Sequence, residues 1–157
     1  MLDDDLVRKE AIAALTRIVT FRLARTQNKL NAQMTYLLRQ TSDLSLVEWR
    51  ILRMIAAYGP ATMADLARLV EMDKGQLSRK VHAMTERDLI TLIPDPVDHR
   101  KFIMSLSPSA EGLLERLMPM VSRRIDGLVG DIPADDLETF FNVLAHIDRA
   151  AEQRDLI

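Results

Sequence analysis

Polar and charged side chains are concentrated in one short segment, IPDPVDHRKFIMSL (residues 93–106), between two apolar runs. Carboxylates and imidazole could act in acid–base catalysis or bind a metal, and a basic pair could bind nucleic acid. The same composition is also typical of an ordinary hairpin turn. The side chains in question are Asp95, Asp98, His99, Arg100 and Lys101.

Catalysis and metal binding are not favoured by the remaining sequence. The chain has no cysteine and three histidines, His82, His99 and His146, none of them paired at helical metal-ligand spacing. It contains no Gly-rich phosphate loop and no G-x-S-x-G motif, and the acidic residues of the segment have no evident nucleophile partner. We therefore predict that the chain is not an enzyme and has no metal or cofactor, with a metal site built from distant elements as the less favoured alternative.

Length and composition predict one mainly helical unit. The chain has 157 residues, with 5 glycines, 1 tryptophan and 2 tyrosines, a balance that favours helix over sheet. No apolar run approaches the roughly 20 residues that span a bilayer, and the N-terminus is acidic, so we predict a cytoplasmic protein without a membrane segment. The net charge of −2 is small, but residues 107–157 carry an acidic excess whereas residues 1–39 carry a basic excess.

Apolar periodicity places helices on both sides of the charged segment. A long amphipathic helix is predicted from about Leu6 to Leu38, and a second helix that buries Trp49, Leu52, Ile55 and Ala56 should stop at the Gly59-Pro60 pair. Thr62 should cap a short third helix, and Asp73 should cap a fourth that begins at Lys74. After two short strands around the loop 95–100, Ser107 and Pro108 should begin a helix that Pro119 kinks, and Pro133 should precede the last helix.

The fourth helix should present a polar face to its surroundings. Its apolar positions Leu77, Val81 and Met84 recur at i, i+4 and i+7, so at 100° per residue Arg79 and His82 lie on the opposite side. A helix, a tight turn, a second helix with an exposed polar face and a hairpin make up the winged helix-turn-helix arrangement, in which the second helix enters the major groove. The alternative is a solvated helix surface, since charged outer faces are common.

The segment MDKGQLSRKVHAMTERDLITLIPDPVDHRKFIMSLSPSAEGLL resembles the recognition helix and wing of the MarR family of bacterial transcriptional regulators. In that family the wing reads roughly D-x-x-D-x-R, which Asp95, Asp98 and Arg100 match. The family often has glycine where Asp88 stands, and threonine and glycine where Ser107 and Ala110 stand. Aspartate tolerates the left-handed conformation and serine caps a helix as threonine does, so these departures are compatible with the family fold.

The resemblance implies a mainly α fold, with an N-terminal dimerisation helix (1–42), a winged helix-turn-helix DNA-binding domain (43–106) and C-terminal dimerisation helices (107–157). It implies a homodimer on a pseudo-palindromic operator in double-stranded DNA, acting as a repressor that a small-molecule effector releases. Arg100 would enter the minor groove while Asp98 orients its guanidinium. The predicted DNA-binding residues are Lys74, Gln76, Ser78, Arg79, Lys80, His82, Asp98, Arg100 and Lys101.

One rival interpretation stays open at the level of sequence. Residues 62–106 contain seven basic and seven acidic side chains, so the winged segment is not strongly cationic. That balance favours a winged-helix protein-interaction module without specific DNA binding, because a fold alone does not determine a function.

Overall fold

The computed structural model describes residues 12–70, 72–96, 98 and 102–153. They form a mainly helical fold with one small antiparallel sheet, arranged as a winged helix-turn-helix, as predicted. The chain divides into two compact units between Leu113 and Leu114. In chain order the elements are α1 (Val19–Thr41), α2 (Leu46–Tyr58), β1 (Ala61–Thr62), α3 (Met63–Val70), α4 (Lys74–Glu86), β2 (Ile90–Pro94), β3 (Phe102–Leu106), α5 (Pro108–Val129) and α6 (Ala134–Ala151).

Helix α1 begins later than the sequence predicted. Residues 12–15 form a helical turn, but Ile18 is extended and precedes α1 as its N-cap. Thr16, Ile18, Val19 and Thr20 are β-branched, which weakens helix propensity, and the Thr16 hydroxyl donates to the Ala13 carbonyl at 2.8 Å. The part of the predicted helix before residue 12 lies outside the described residues.

The apolar stripe of α1 is buried only towards its C-terminal end. Met34 and Leu38 are buried, and Leu37 is half-buried. Ile18 and Val19, at the other end of the stripe, are exposed to 50% and 55%. The first unit therefore leaves an apolar surface uncovered in the single chain.

Helix α2 supplies the largest part of the core of the first unit. A capping box begins it: Glu48 N–H donates to the Ser45 hydroxyl, and Ser45 N–H donates to the Glu48 carboxylate at 2.7 Å. Gly59, with φ of +88°, ends it as predicted. Trp49, Ile51, Leu52 and Ile55 are buried, whereas Ala56 is exposed because Ile51 occupies the inner face instead.

Helices α3 and α4 begin at the two caps that the sequence indicated. Asp65 N–H donates to the Thr62 hydroxyl at 3.2 Å, and Thr62 in turn donates to the Asp65 carboxylate, which lowers the pKa of Asp65. The Asp73 carboxylate accepts from the backbone N–H groups of Gly75 and Gln76 at 2.9 and 3.1 Å. Leu66 in α3 is buried.

The two-stranded wing that we predicted is present, and a third strand, β1, extends it to a three-stranded sheet. Strand β3 pairs with β2, Leu92 opposite Met104, and on its other edge with β1, Ala61 opposite Met104. Strand β1 was not predicted from the sequence because it has only two residues and lies directly before α3. It fixes the base of the wing to the start of α3.

Asp88 and Ser107 join the end of α4, the wing and the start of α5. Asp88 has φ of +54°, the left-handed conformation that a helix end commonly requires. Its carbonyl accepts the Ser107 hydroxyl, and the Ser107 oxygen accepts Ala110 N–H at 3.0 Å. Ser107 is fully buried and caps α5 as predicted.

Helix α5 continues through Pro119, and Pro133 precedes α6. Within the second unit Leu114, Leu117 and Val121 are buried, whereas Leu128 is 39% exposed. Helix α6 has no buried residue, and its apolar side chains Phe140 and Phe141 are 50% and 63% exposed. Any kink at Pro119 stays a prediction.

Replacing Asp88 tests the left-handed turn. Asp88→Gly should raise the free energy of unfolding by up to about 1 kcal/mol, because a side chain in this conformation costs roughly 1–2 kcal/mol and aspartate avoids part of that cost. Asp88→Val should lower it by about 1–2 kcal/mol. Urea unfolding of the three proteins measures both changes. A clear loss of stability in Asp88→Gly would instead show that the carboxylate itself stabilises the fold.

Candidate functional site

The outer surface of helix α4 is the candidate site, and the sequence of the helix determines which side chains it presents. Leu77, Val81 and Met84 are buried at 2% exposure or less, as predicted. The helix begins at Lys74 behind the Asp73 cap, so its register is determined at its first turn. The remaining positions must therefore face away from the core.

The structure places most of the predicted contact residues together on this surface. His82 is 77% exposed at its side chain, with its Nε2 atom 3.6 Å from the Glu86 carboxylate one turn later. Lys80 differs from the rest, because its side chain is only 34% exposed. The exposed members of the predicted set are Lys74, Gln76, Ser78, Arg79 and His82.

One flank of α4 borders an open groove of about 610 Å³. Lys74, Ser78 and His82 contribute from the helix, and Leu92, Asp95 and Phe102 contribute from the wing. The groove floor includes the buried side chain of Met104. The polar surface of α4 and the inner surface of the wing therefore border one continuous concave face.

The other flank of α4 is joined to α2 by an ion cluster that sequence reasoning missed. The Arg87 guanidinium donates to Glu48 Oε1 at 2.9 Å and lies 2.8 Å from Asp43 Oδ2. The Lys80 ammonium lies 3.6 Å from the same Glu48 oxygen. Glu48 is only 5% exposed, so this carboxylate is the buried centre of the cluster.

Hydrogen bonds and nearby cations keep Glu48 ionised. Burial raises the pKa of Glu48, but the bonds from Ser45 and the charges of Arg87 and Lys80 outweigh burial, and the net pKa lies below 4.5. Burial lowers the pKa of Arg87, yet Asp43 and Glu48 raise it overall. Glu48 and Arg87 are therefore both charged at neutral pH.

A signal for this cluster was present in the sequence. Ser45 and Glu48 have the S-x-x-E spacing of a capping box directly before an apolar helix. That spacing predicts the bond between Glu48 and Ser45. It does not predict that Arg87, which is 39 residues away in the chain, reaches the same carboxylate.

The wing tip is described in part. Asp98 N–H donates to the Asp95 carboxylate at 3.1 Å, so Asp95, which lies between two prolines, shapes the turn. Asp98 is half-buried. The predicted contacts Arg100 and Lys101, and the auxiliary residue His99, lie outside the described residues. The pairing of Asp98 with Arg100 therefore stays a prediction.

No group of three or more histidine, aspartate or glutamate side chains in the described part of the chain is arranged to hold a metal ion. No helix in the described ranges is long and apolar enough to cross a membrane.

Comparisons with known proteins match both the sequence and the fold. Residues 42–101 match the model of the MarR family. The HTH-type transcriptional repressor NicR of Pseudomonas putida is 27% identical over 94 residues, which are 60% of this chain and 60% of NicR. This chain thus spans less than two thirds of the length of that relative.

Two solved structures show the same fold at low sequence identity. The repressor CouR, bound to a 23-mer DNA duplex, has a TM-score of 0.72 at 19% identity, covering 85% of this chain and 94% of CouR. Bordetella bronchiseptica BpsR, whose DNA binding is regulated by 6-hydroxynicotinic acid, has a TM-score of 0.70 at 19% identity, covering 85% of this chain and 95% of BpsR.

The Glu48 cluster gives a prediction for stability and its pH dependence. Glu48→Gln should lower the free energy of unfolding at pH 7 by about 1–2 kcal/mol, because it removes a charge-assisted hydrogen bond. This value is reduced because Arg87 is partly exposed to solvent. Because the folded pKa is lowered, the stabilisation is present above 4.5 and is lost as the pH falls through the folded value. The difference between wild type and Glu48→Gln should therefore shrink as the pH falls below 4.5.

Urea unfolding at pH 7 and at several values below 4.5 measures this difference. Glu115→Gln is the matched control, because Glu115 is an exposed glutamate in the middle of α5. A difference between wild type and Glu48→Gln that does not change with pH would contradict the charge-based explanation.

Proposed function

We propose that this chain is a sequence-specific DNA-binding regulator of transcription that acts as a repressor, because residues 42–101 match the MarR family model and fold as a winged helix-turn-helix. The observation that carries the proposal is the exposed polar surface of α4, presented behind the short helix α3 and beside a β-wing. This is the arrangement in which a recognition helix enters the major groove. The DNA complex of CouR supports it at the level of fold.

The proposed contacts are divided between base edges and phosphates. Arg79 and Gln76 have the donor patterns that read guanine and adenine in the major groove. Lys74, Ser78 and His82 border the groove beside the wing, where they can bind phosphate oxygens. Lys80 is not included among these contacts, because its ammonium faces Glu48.

The wing is proposed to bind the adjacent minor groove. In the family pattern Arg100 enters the minor groove, where the negative potential is strengthened when the groove is narrow. Asp98 would orient the guanidinium by a charge-assisted hydrogen bond, and Lys101 would add a phosphate contact. The bond from Asp98 N–H to the Asp95 carboxylate supports this role, because it holds the backbone in a turn at Asp98.

We propose that the active species is a homodimer. The apolar residues Val19 and Phe21 of α1 and Phe140, Phe141 and Val143 of α6 are all exposed in the single chain. A second copy that covers such surfaces would create a twofold axis, and two recognition helices could then bind half-sites roughly 34–36 Å apart on a pseudo-palindromic operator.

Release by a small-molecule effector is the remaining part of the proposal. A ligand could bind more tightly to a dimer in which the spacing of the two recognition helices does not match the half-sites of the operator. Such a ligand would lower DNA affinity by population shift. The regulation of BpsR by 6-hydroxynicotinic acid is a precedent in a protein of the same fold. The alternative of a protein-interaction module has no support among these relatives, which are regulators of transcription. DNA binding implies the bacterial cytoplasm as its compartment.

Replacing Arg79 tests direct base readout. Arg79→Ala should weaken operator binding by about 1–3 kcal/mol and relax the preference for one base pair. The operator is first selected from genomic fragments by the purified protein, and affinities are then compared on operator and random duplexes. Arg116→Ala removes the same charge from an exposed site in α5 and serves as the control. An equal loss on random DNA would instead identify Arg79 as a phosphate contact.

Replacing Arg100 tests the wing. Arg100→Ala should weaken operator binding while leaving the dimer and the melting temperature unchanged, because a side chain that enters DNA does not support the core. Arg100→Lys should recover only part of the affinity, since lysine keeps the charge but loses the planar guanidinium. Titration of a fluorescent operator measures each affinity. Unchanged affinity in Arg100→Ala would exclude the minor-groove role.

A further inference from the structure

The basic side chains of helix α4 and of Arg87 directly after it fall into two groups, one exposed to solvent and one paired with an acid. Lys74 and Arg79 are exposed on the surface proposed to face DNA. Lys80 and Arg87 instead converge on one oxygen of Glu48, at 3.6 and 2.9 Å. The helix therefore contains more basic side chains than it offers to a partner.

The ion cluster has no net charge. It contains two acids, Asp43 and Glu48, and two bases, Lys80 and Arg87. Arg87 is held by both acids, whereas Lys80 is ion-paired with Glu48. If the Glu48 charge were removed, Lys80 would lose that pair while Arg87 kept Asp43.

If the ion pair with Glu48 were lost, the Lys80 ammonium could move towards the outer surface of α4. Lys80 follows Arg79 directly, about 100° around the helix, and its side chain is already 34% exposed. A lysine has a flexible four-carbon stem and three donors that are free to rotate. The ion pair with Glu48 is thus what keeps Lys80 from being exposed in the way that the other cations of α4 are.

We propose that Glu48 is a positioning residue that holds Lys80 away from DNA phosphates and so limits the sequence-independent part of DNA affinity. This inference rests on the proposed DNA-binding function. Phosphate contacts strengthen binding to every sequence alike, so an additional one would retain more of the protein on non-operator DNA. Glu48 lies in α2, outside the surface that reads DNA, and acts through Lys80.

The alternative is that Glu48 only anchors α4 to α2. Loss of its charge would then disturb the recognition helix, and binding to all DNA would weaken or stay the same. The dependence of affinity on salt distinguishes the two roles, because its slope counts neutralised phosphates and a purely structural defect adds none.

The experiment measures binding of a random-sequence duplex over a salt series, below the melting temperature of each protein. Glu48→Gln should steepen the slope of log K against log salt by about 0.9, the effect of one additional phosphate contact. At 0.1 M salt the same contact corresponds to up to about eightfold tighter binding. Glu48→Gln/Lys80→Gln should return the slope to that of the wild type.

Two further proteins keep the proposal falsifiable. Glu115→Gln makes the same change in net charge at an exposed site in α5, and its slope should match the wild type. Lys80→Gln alone, which retains the pair between Glu48 and Arg87, should reduce the slope by much less than 0.9 and tests the proposal even if Glu48→Gln does not fold.

The outcomes separate this inference from the proposed function. The role of Glu48 would be overturned, with DNA binding unaffected, if the salt slope of Glu48→Gln equalled that of the wild type. It would also be overturned if Lys80→Gln reduced the slope equally in the wild type and in Glu48→Gln. Absence of any binding by the wild type at low salt would overturn the proposed function itself.

Discussion

The buried carboxylate of Glu48 is the interaction that joins helix α4 to the core helix α2. One oxygen caps its own helix through Ser45, and the other accepts the guanidinium of Arg87 directly after α4. A buried charge without such partners would cost several kcal/mol, so the three groups must stay together. The carboxylate therefore couples the start of α2 to the end of α4 across 39 residues of sequence.

The two flanks of α4 consequently have different chemical roles. On one side, acids of α2 and of the loop before it neutralise Lys80 and Arg87. On the other, Lys74, Ser78 and His82 border the groove beside the wing. Lys80 and Arg87 are two of the seven basic side chains of residues 62–106, and they are paired with acids outside that segment. The charge total of the segment therefore does not describe the surface of α4, which presents Lys74, Arg79 and His82.

A second junction holds the wing in register with the recognition helix. Asp88 turns the chain in the left-handed conformation, and the buried hydroxyl of Ser107 links the Asp88 carbonyl to the first turn of α5. Strand β1 adds the third edge of the sheet and joins the wing to the start of α3. The helix-turn-helix and the wing therefore form a single assembly within the first unit, which is what a two-groove contact with DNA requires.

Features that depend on neighbouring residues could be predicted from the sequence. Apolar periodicity and the caps at Thr62, Asp73 and Ser107 predicted α3, α4, α5 and the inward residues of α4, because these interactions span four residues or fewer. Tertiary structure alone decided what depends on distant groups: the pairing of Arg87 and Lys80 with Glu48, the two-residue strand β1, and the exposure of the α1 stripe. Such contacts join residues that are far apart along the chain, and they leave no periodic pattern in the sequence. Only the folded chain therefore determines that Lys80 faces an acid rather than the outer surface of α4.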